Sequence, residues 1–267
     1  MMKKESLWYR SRGLDKMGKR FGKKVLREFI ESRLKNEKTV RILEIGFGEG
    51  RCLLDLRIRF PNKNVELYGI NNTKKGSMHN QGDFLKNAKT FGIAIPNSNL
   101  PKPYFFDAGE GLLFKSKFFD VIISQVSFHY IGNKARLLEE VWRVLKVGGR
   151  AYLHIDSKYR NKSPDFLKLN AETPRFIIYR NGEVIKVSQY LRKFIKKGFK
   201  LSGTIFNKKN NKCTLIMEKN KHTLLKLNLK YDGNSTIYLT KLKDSDKYKN
   251  DGSIWWGTRS VFRARNK

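Results

Sequence analysis

Three glycines at alternate positions, Gly46, Gly48 and Gly50, carry the clearest chemical signal in this sequence. They follow a short apolar run at 40–45 that is typical of a buried strand. Glycines let the backbone turn sharply and approach a ligand where a Cβ would clash, and a helix that begins after them presents free N–H groups. The dinucleotide fingerprint fails because Arg51 stands where its third glycine belongs, and no Gly-Lys-Ser or Gly-Lys-Thr of a Walker loop follows. A pyrophosphate ligand is therefore disfavoured.

The segments around the glycines alternate between strand and helix patterns. Strand patterns cover 40–45, 65–70, 119–124 and 151–155, and helical patterns cover 17–36, 53–58, 84–90 and 137–145. The run at 119–124 is almost entirely apolar, as in a strand that is buried on both faces of a parallel sheet. The alternation predicts an α/β fold with a doubly wound, mostly parallel sheet.

The pattern changes after residue 156. A hairpin about Asn181-Gly182 is predicted over 176–187, then a helix over 188–197 and an antiparallel edge pair at 200–206 and 213–218. The last 47 residues read as a small β-rich tail. We therefore predict a basic N-terminal segment over 1–16, one main domain over 17–220 and a basic β-rich C-terminal extension over 221–267.

The charge is strongly positive and unevenly distributed. The chain has 57 Lys and Arg against 24 Asp and Glu, for a formal net charge of +33. The net charge is +8 over 1–40, +7 over 41–150 and +18 over 151–267. An excess at both ends favours a surface that binds a polyanion such as RNA. The abundance of Lys, Asn and Ile is also typical of AT-rich coding sequence, so the charge alone leaves both interpretations open.

Cysteine content and hydropathy indicate the compartment. Cys52 and Cys213 lie far apart, which fits neither a disulfide framework nor a zinc cluster. No apolar stretch approaches the ~20 residues that span a bilayer, and the N-terminus lacks an apolar signal core. We expect a cytoplasmic protein with no membrane span and no metal; the oligomeric state stays open.

Four landmarks in order resemble the class I S-adenosylmethionine-dependent methyltransferases, and in particular a methyltransferase type 11-like domain. They are residues 43–50, Asp107, residues 119–122 and residues 145–150. The resemblance covers roughly 40–156 and implies a Rossmann-like methyltransferase fold with S-adenosylmethionine as cofactor and no need for a metal. A dinucleotide-binding domain with coincidental motifs is the alternative.

The resemblance also implies a cofactor site. Glu44 and the backbone of the three glycines would face the methionine portion, whose amino group is cationic. Asn71 and Asn72 would hold the ribose hydroxyls, although the family usually has Asp or Glu there, which binds hydroxyls more strongly. Asp107 would accept a hydrogen bond from the adenine amino group; a surface turn is its other interpretation.

The segment 124–131, Ser-Gln-Val-Ser-Phe-His-Tyr-Ile, follows the fourth strand, where the family lines both methyl donor and acceptor. Gln125 is assigned to the cofactor, and His129 and Tyr130 to catalysis. His129 is suited to act as general base near neutral pH, and Tyr130 with Phe128 to stack a planar substrate or to pack under the rim. A structural histidine is the alternative. The segment also resembles one in messenger-RNA cap guanine-N7 methyltransferases.

Three functions remain open from the sequence. The first is methyl transfer from S-adenosylmethionine to an unidentified acceptor, with RNA or another polyanion as the candidate. The second is methylation of a small metabolite or lipid-like molecule, and the third is a non-catalytic nucleic-acid-binding module on the same fold. Trp255-Trp256 and Trp8-Tyr9 lie beside basic residues, which fits either base stacking or anchoring of the termini. Missing Asp-Pro-Pro-Tyr and Pro-Cys motifs disfavour the common DNA methylation chemistries.

Overall fold

The computed structural model describes residues 12–155 apart from residues 23, 63, 73–78, 98 and 126. Beyond residue 176 it describes the segments 177–180, 183–185, 187–195, 199–202, 213–231 and 237–239. The strands are β1 Val40–Ile45, β2 Val65–Asn71, β3 Lys102–Phe105, β4 Phe119–Ser124, β5 Leu145–Ile155, β6 Ile177–Arg180, β7 Glu183–Ile185, β8 Phe199–Ser202, β9 Cys213–Lys219, β10 Lys230–Tyr231 and β11 Ile237–Leu239. The helices are α1 Leu14–Phe21, α2 Val25–Asn36, α3 Arg51–Arg59, α4 Asp83–Thr90, α5 Lys134–Val144 and α6 Val187–Arg192, with a 3₁₀ turn at Ser127–Tyr130.

The main sheet has seven strands in the order β3-β2-β1-β4-β5-β9-β8. The five strands β1 to β5 are parallel to one another, and β9 runs antiparallel to both β5 and β8. This is the predicted doubly wound, mostly parallel α/β sheet with an antiparallel edge pair. The chain reverses its direction of progress across the sheet between β1 and β4, so their carboxyl ends border a crevice of the kind that binds ligands in such folds.

Apolar side chains of alternate strand residues pack into two hydrophobic cores, one on each face of the sheet. Val40 and Ile42 of β1 pack with α1, α2, α3 and α4, whereas Leu43 and Ile45 pack with α5 and α6. Burial on both faces explains why the strands read as nearly continuous apolar runs in the sequence. The sheet is thereby fixed from both sides, and its carboxyl edge becomes a rigid platform for a site.

The helix predicted over 17–36 is in fact two helices, α1 and α2. The chain breaks at Gly22, whose φ of 105° is a conformation that residues with a side chain rarely adopt. A Cβ on Gly22 would also lie 2.8 Å from Cγ2 of Val25. The break separates α1 from α2, and Met17 and Phe21 of α1 are buried in the core on the face of the sheet that carries Val40 and Ile42.

The C-terminal half contains both predicted hairpins. Strands β6 and β7 pair antiparallel across Asn181-Gly182, and β8 and β9 form the antiparallel pair at the edge of the main sheet. A second sheet has the order β10-β11-β6-β7, with β11 parallel to β6. The domain boundary at 220 stays a prediction. No helix in the described part of the chain is long and apolar enough to cross a membrane.

Candidate functional site

The glycine segment is a tight loop between β1 and α3. Gly46, Gly48 and Gly50 have φ angles of 74°, 60° and 81°, all in the left-handed region that favours glycine. Gly50 stands at the N-cap of α3. The alternate spacing of the glycines therefore marks three positions at which the backbone adopts the left-handed conformation.

Two of these glycines are required by packing within the chain. A Cβ on Gly46 would lie 2.0 Å from Cβ of Ser127, and one on Gly50 would lie 2.3 Å from Cε1 of Phe84. Ser127 is held there because its hydroxyl donates to the carbonyl of Ile45 at 2.5 Å. The loop after β4 thus sits directly on the end of β1, and the open side of the glycine segment is at Gly48.

Glu44 is a buried carboxyl at the carboxyl end of β1. Its side chain is 2% exposed, and burial raises its pKa to about 8, while a hydrogen bond from Gln125 acts in the opposite direction. Nε2 of Gln125 donates to Oε1 of Glu44 at 3.4 Å. Oε2 has no hydrogen-bond partner among the described residues. A buried acceptor without a donor is costly, so this position is suited to a cationic ligand group.

The side chain of Asn71 forms hydrogen bonds with the glycine loop and does not point into solvent. Its Oδ1 accepts from the backbone N–H of Gly48 and its Nδ2 donates to the carbonyl of the same residue, both at 3.0 Å. A carboxylate could make only the first of these bonds because it has no donor. The structure thus gives a physical reason for an amide where the family usually has an acid.

Replacing Asn71 with Asp is expected to lower the free energy of unfolding by about 1–2 kcal/mol, since the Gly48 carbonyl loses its donor and faces a carboxylate oxygen. Urea denaturation without ligand measures this. The exposed neighbour Asn72, changed to Asp, is the matched control and should move the free energy by less than ~0.5 kcal/mol. An Asn71→Asp protein as stable as the native chain would show that the amide bonds do not hold the loop.

A cleft with about 610 Å³ of empty space, including space open to solvent, lies at the carboxyl edge of β1, β2, β3 and β4. Its lining includes five of the eight residues that the sequence assigns to the cofactor, and Glu44, Gly50 and Gln125 are not among the lining residues. The lining residues are Arg12, Ile45, Gly46, Gly48, Ile70, Asn71, Asn72, Phe106, Asp107, Ala108, Ser127 and Ile131. The structure therefore brings residues from the ends of four strands, β1 to β4, into one cavity.

Asp107 occupies one end of this cleft and is held in a fixed orientation. Its Oδ1 accepts from the backbone N–H of Gly109 at 2.8 Å. It is partly buried and lines the cleft, so it is not an exposed surface turn. Asn72, in contrast, is exposed.

The two residues assigned to catalysis lie in the 3₁₀ turn after β4, beside the cleft. The backbone of His129 and Tyr130 belongs to this turn, but their side chains fall outside the described part of the structure. Phe128 is fully buried in the core on the α5 face, so it packs under the rim instead of stacking on a substrate. The roles of His129 and Tyr130 stay predictions.

Comparison with known families matches residues 43–153 to a model described as a methyltransferase domain. This segment belongs to the class I methyltransferase family. The matched residues run from the last part of β1 to β5, so the methyltransferase domain includes the glycine loop, Asp107 and the turn after β4. The resemblance drawn from the sequence motifs is confirmed. Comparison with curated protein sequences gave no match.

Among solved structures, this chain is similar to several chains at low identity. A chain from the complex between the Haloferax volcanii Trm112 methyltransferase activator and a methyltransferase is 16% identical, with 83% of this chain and 100% of that chain covered and a TM-score of 0.48. A SAM-dependent methyltransferase from Aquifex aeolicus is 17% identical, with 75% and 90% covered and a TM-score of 0.45. The YcgJ protein from Bacillus subtilis is 21% identical, with 66% and 70% covered and a TM-score of 0.42. None of these similarities indicates the acceptor.

Two polar residues that line the cleft, Arg12 and Ser127, were given no role from the sequence. Arg12 lies before the matched segment, in the basic stretch beside Trp8-Tyr9, for which the sequence left base stacking and anchoring of the terminus open. Ser127 lies in the segment assigned to the acceptor, but no motif signals that its side chain fills the space beside Gly46. Both placements depend on contacts between distant parts of the chain. The Trp8-Tyr9 and Trp255-Trp256 pairs lie outside the described residues.

Proposed function

We propose that this protein is an S-adenosylmethionine-dependent methyltransferase. The observation that carries the proposal is the buried carboxyl of Glu44, whose Oε2 lacks a hydrogen-bond partner among the described residues, at the base of the glycine loop. The α-amino group of a methionine moiety is a cationic donor of the kind that this oxygen requires. A dinucleotide offers phosphates at this position, which a carboxylate would repel. The donor chemistry of the cleft therefore favours S-adenosylmethionine.

The remaining residues fit the other parts of the same molecule. The backbone of Gly46 and Gly48 would face the amino-acid portion, and Asn72 is suited to hydrogen bonds with the ribose hydroxyls. Asp107 would accept from the adenine amino group through the oxygen that does not bind Gly109. Gln125 would act by orienting Glu44. Asn71 would act on the ribose side by holding Gly48 in place.

The cofactor, when bound, supplies an electrophilic methyl group that is already activated by its sulfonium. The chain then has to align the acceptor atom with that methyl group and exclude water. The turn after β4 borders the cleft, so His129 is suited to take a proton from an oxygen or nitrogen acceptor. Tyr130 would pack against a planar substrate.

Asp107→Asn is expected to weaken binding of S-adenosylhomocysteine about tenfold, because its amide can keep the bond from Gly109 but presents a donor to the adenine amino group. Asp107→Ala removes the acceptor and should weaken binding similarly. Calorimetric titration measures both. An unchanged affinity in the Asn variant, with the turn at Gly109 intact, would show that adenine binds elsewhere.

RNA is the acceptor class that we propose. The formal net charge of +33 supports a polyanionic partner, since each phosphate contact by Lys or Arg adds a favourable and salt-sensitive term. Incubation with labelled donor and separated cell fractions should label the RNA fraction. Labelling of a small metabolite or lipid would contradict this acceptor.

The affinity for RNA should fall steeply with salt, by about tenfold or more between ~50 and ~200 mM salt if several phosphates are contacted. Filter binding with a mixed RNA pool measures the slope, and a neutral polymer of similar length is the control. Salt-independent or absent binding would show that the charge does not serve nucleic-acid recognition.

A further inference from the structure

Arg12 joins the N-terminal helix α1 to the cofactor cleft. Its backbone carbonyl accepts from Nε2 of Gln125 at 2.7 Å, and its side chain lines the cleft. Nη1 of its guanidinium lies 3.1 Å from where a Cβ on Gly48 would be. The guanidinium therefore stands at the open side of the glycine loop.

The charge of Arg12 acts on two carboxyl groups of the segment that carries the glycines, Glu44 and Glu49. Burial raises the pKa of both Glu44 and Glu49, and the nearby guanidinium opposes that rise in each case. The amino-acid end of the proposed ligand is a zwitterion, with an ammonium group and a carboxylate on one carbon. Glu44, buried at the end of β1, would provide the acceptor for the ammonium group, and Arg12 is a cation that lines the cleft.

Asp55 holds the residues that follow Arg12. Its Oδ2 accepts from the backbone N–H of Leu14 at 2.8 Å, and its Oδ1 accepts from Nε of Arg51 at 2.8 Å. A carboxylate at this position satisfies a free N–H in the first turn of α1 and interacts favourably with the helix dipole. Gly13 allows the approach, because a Cβ there would lie 2.6 Å from Oδ2.

The geometry points to Asp55 as a positioning residue for ligand specificity. By fixing the first turn of α1, Asp55 holds Arg12 over the glycine loop, and Arg12 pairs with the carboxylate of the ligand's amino-acid end. This inference rests on the proposed function. It adds that the site selects a zwitterion through a residue outside the matched domain, and that the selection depends on a carboxylate of α3 that does not line the cleft.

The test compares two ligands that share the adenosine and sulfur but differ in the amino-acid end. S-Adenosylhomocysteine has that end, and 5′-methylthioadenosine lacks it. Arg12→Ala should weaken S-adenosylhomocysteine about tenfold, as expected for loss of a charge-assisted pair, and leave 5′-methylthioadenosine unchanged. Asp55→Ala should weaken S-adenosylhomocysteine severalfold and again spare 5′-methylthioadenosine. Arg12→Lys keeps the charge and should retain most of the affinity.

The double variant and a control separate positioning from general destabilisation. In the Arg12→Ala background, Asp55→Ala should have little further effect on S-adenosylhomocysteine binding, because the residue it positions is gone. Glu31→Ala removes another interhelical carboxylate, one that pairs with Arg59 of α3 at 3.7 Å, and should leave both ligands unchanged. Urea denaturation confirms that each variant is folded.

The outcomes distinguish failure of the inference about Asp55 and Arg12 from failure of the proposed function. Equal weakening of both ligands by Asp55→Ala, or native affinity for S-adenosylhomocysteine in Arg12→Ala, would overturn the inference while the proposed function stands. If Asp55→Ala does not fold, Arg12→Ala and Arg12→Lys still decide the role of the guanidinium. Failure of the native chain to bind S-adenosylhomocysteine would instead refute the proposed function.

Discussion

Glu44→Gln is expected to weaken binding of S-adenosylhomocysteine about tenfold near neutral pH, and by a larger factor as the pH rises. The amide keeps the shape and an acceptor for the ammonium group but cannot carry the negative charge. The native carboxyl must first ionise, because burial raises its pKa to about 8 in the free protein. The advantage of the native residue therefore grows until that group is already ionised.

The sign of the pH dependence follows from the direction of this pKa change. An ammonium ligand stabilises the carboxylate, so the pKa of Glu44 is lower in the complex than its value of about 8 in the free protein. Binding should therefore release close to one proton at about pH 7, and the affinity should rise with pH up to about pH 8 and then level off.

Calorimetry in buffers of different ionisation enthalpy measures the released proton. The Glu44→Gln protein should release none and should bind with an affinity that changes little over the same pH range. Equal proton release by the native and variant proteins would show that the proton comes from another group, and that Glu44 does not face the amino group.

Gly46→Ala is expected to lower the free energy of unfolding by about 3 kcal/mol and to abolish measurable cofactor binding, because two costs combine. One is the left-handed φ of 74°, and the other is the overlap of the new Cβ with that of Ser127 at 2.0 Å. Urea denaturation and titration with S-adenosylhomocysteine measure the two effects.

Gly92→Ala is the matched control, because it measures the cost of the left-handed backbone conformation alone. Gly92 has a similar φ of 66°, and a Cβ there would meet nothing within 4 Å, so its change should cost only ~1–2 kcal/mol. Adding Ser127→Gly to Gly46→Ala removes the overlap and should recover part of the stability. If Gly46→Ala and Gly92→Ala cost the same, the turn after β4 does not pack on the glycine loop as described.

The fold could be predicted because local patterns were sufficient for it. The apolar runs at 40–45 and 119–124 are buried on both faces, and the glycines mark left-handed backbone that few other residues adopt. The break at Gly22 was missed, since the apolar spacing continues across it. A single residue with φ of 105° overrides a helical pattern that is otherwise uninterrupted.

Part of the lining of the candidate cleft could be predicted from the sequence, but the interactions of its residues could not. The sequence places Asn71 at the end of β2, yet nothing local shows that its amide binds both backbone groups of Gly48. The contact between Arg12 and Gln125 spans 113 positions and has no local signal at all. Such contacts arise only when the packed sheet brings the strand ends together.

A calorimetric titration of the native chain with S-adenosylhomocysteine tests directly whether this protein binds the cofactor. We expect saturable binding of one molecule per chain at micromolar concentration, competed by S-adenosylmethionine and accompanied by proton release at neutral pH. Absence of binding at millimolar ligand, from a protein that unfolds cooperatively in urea, would contradict this expectation.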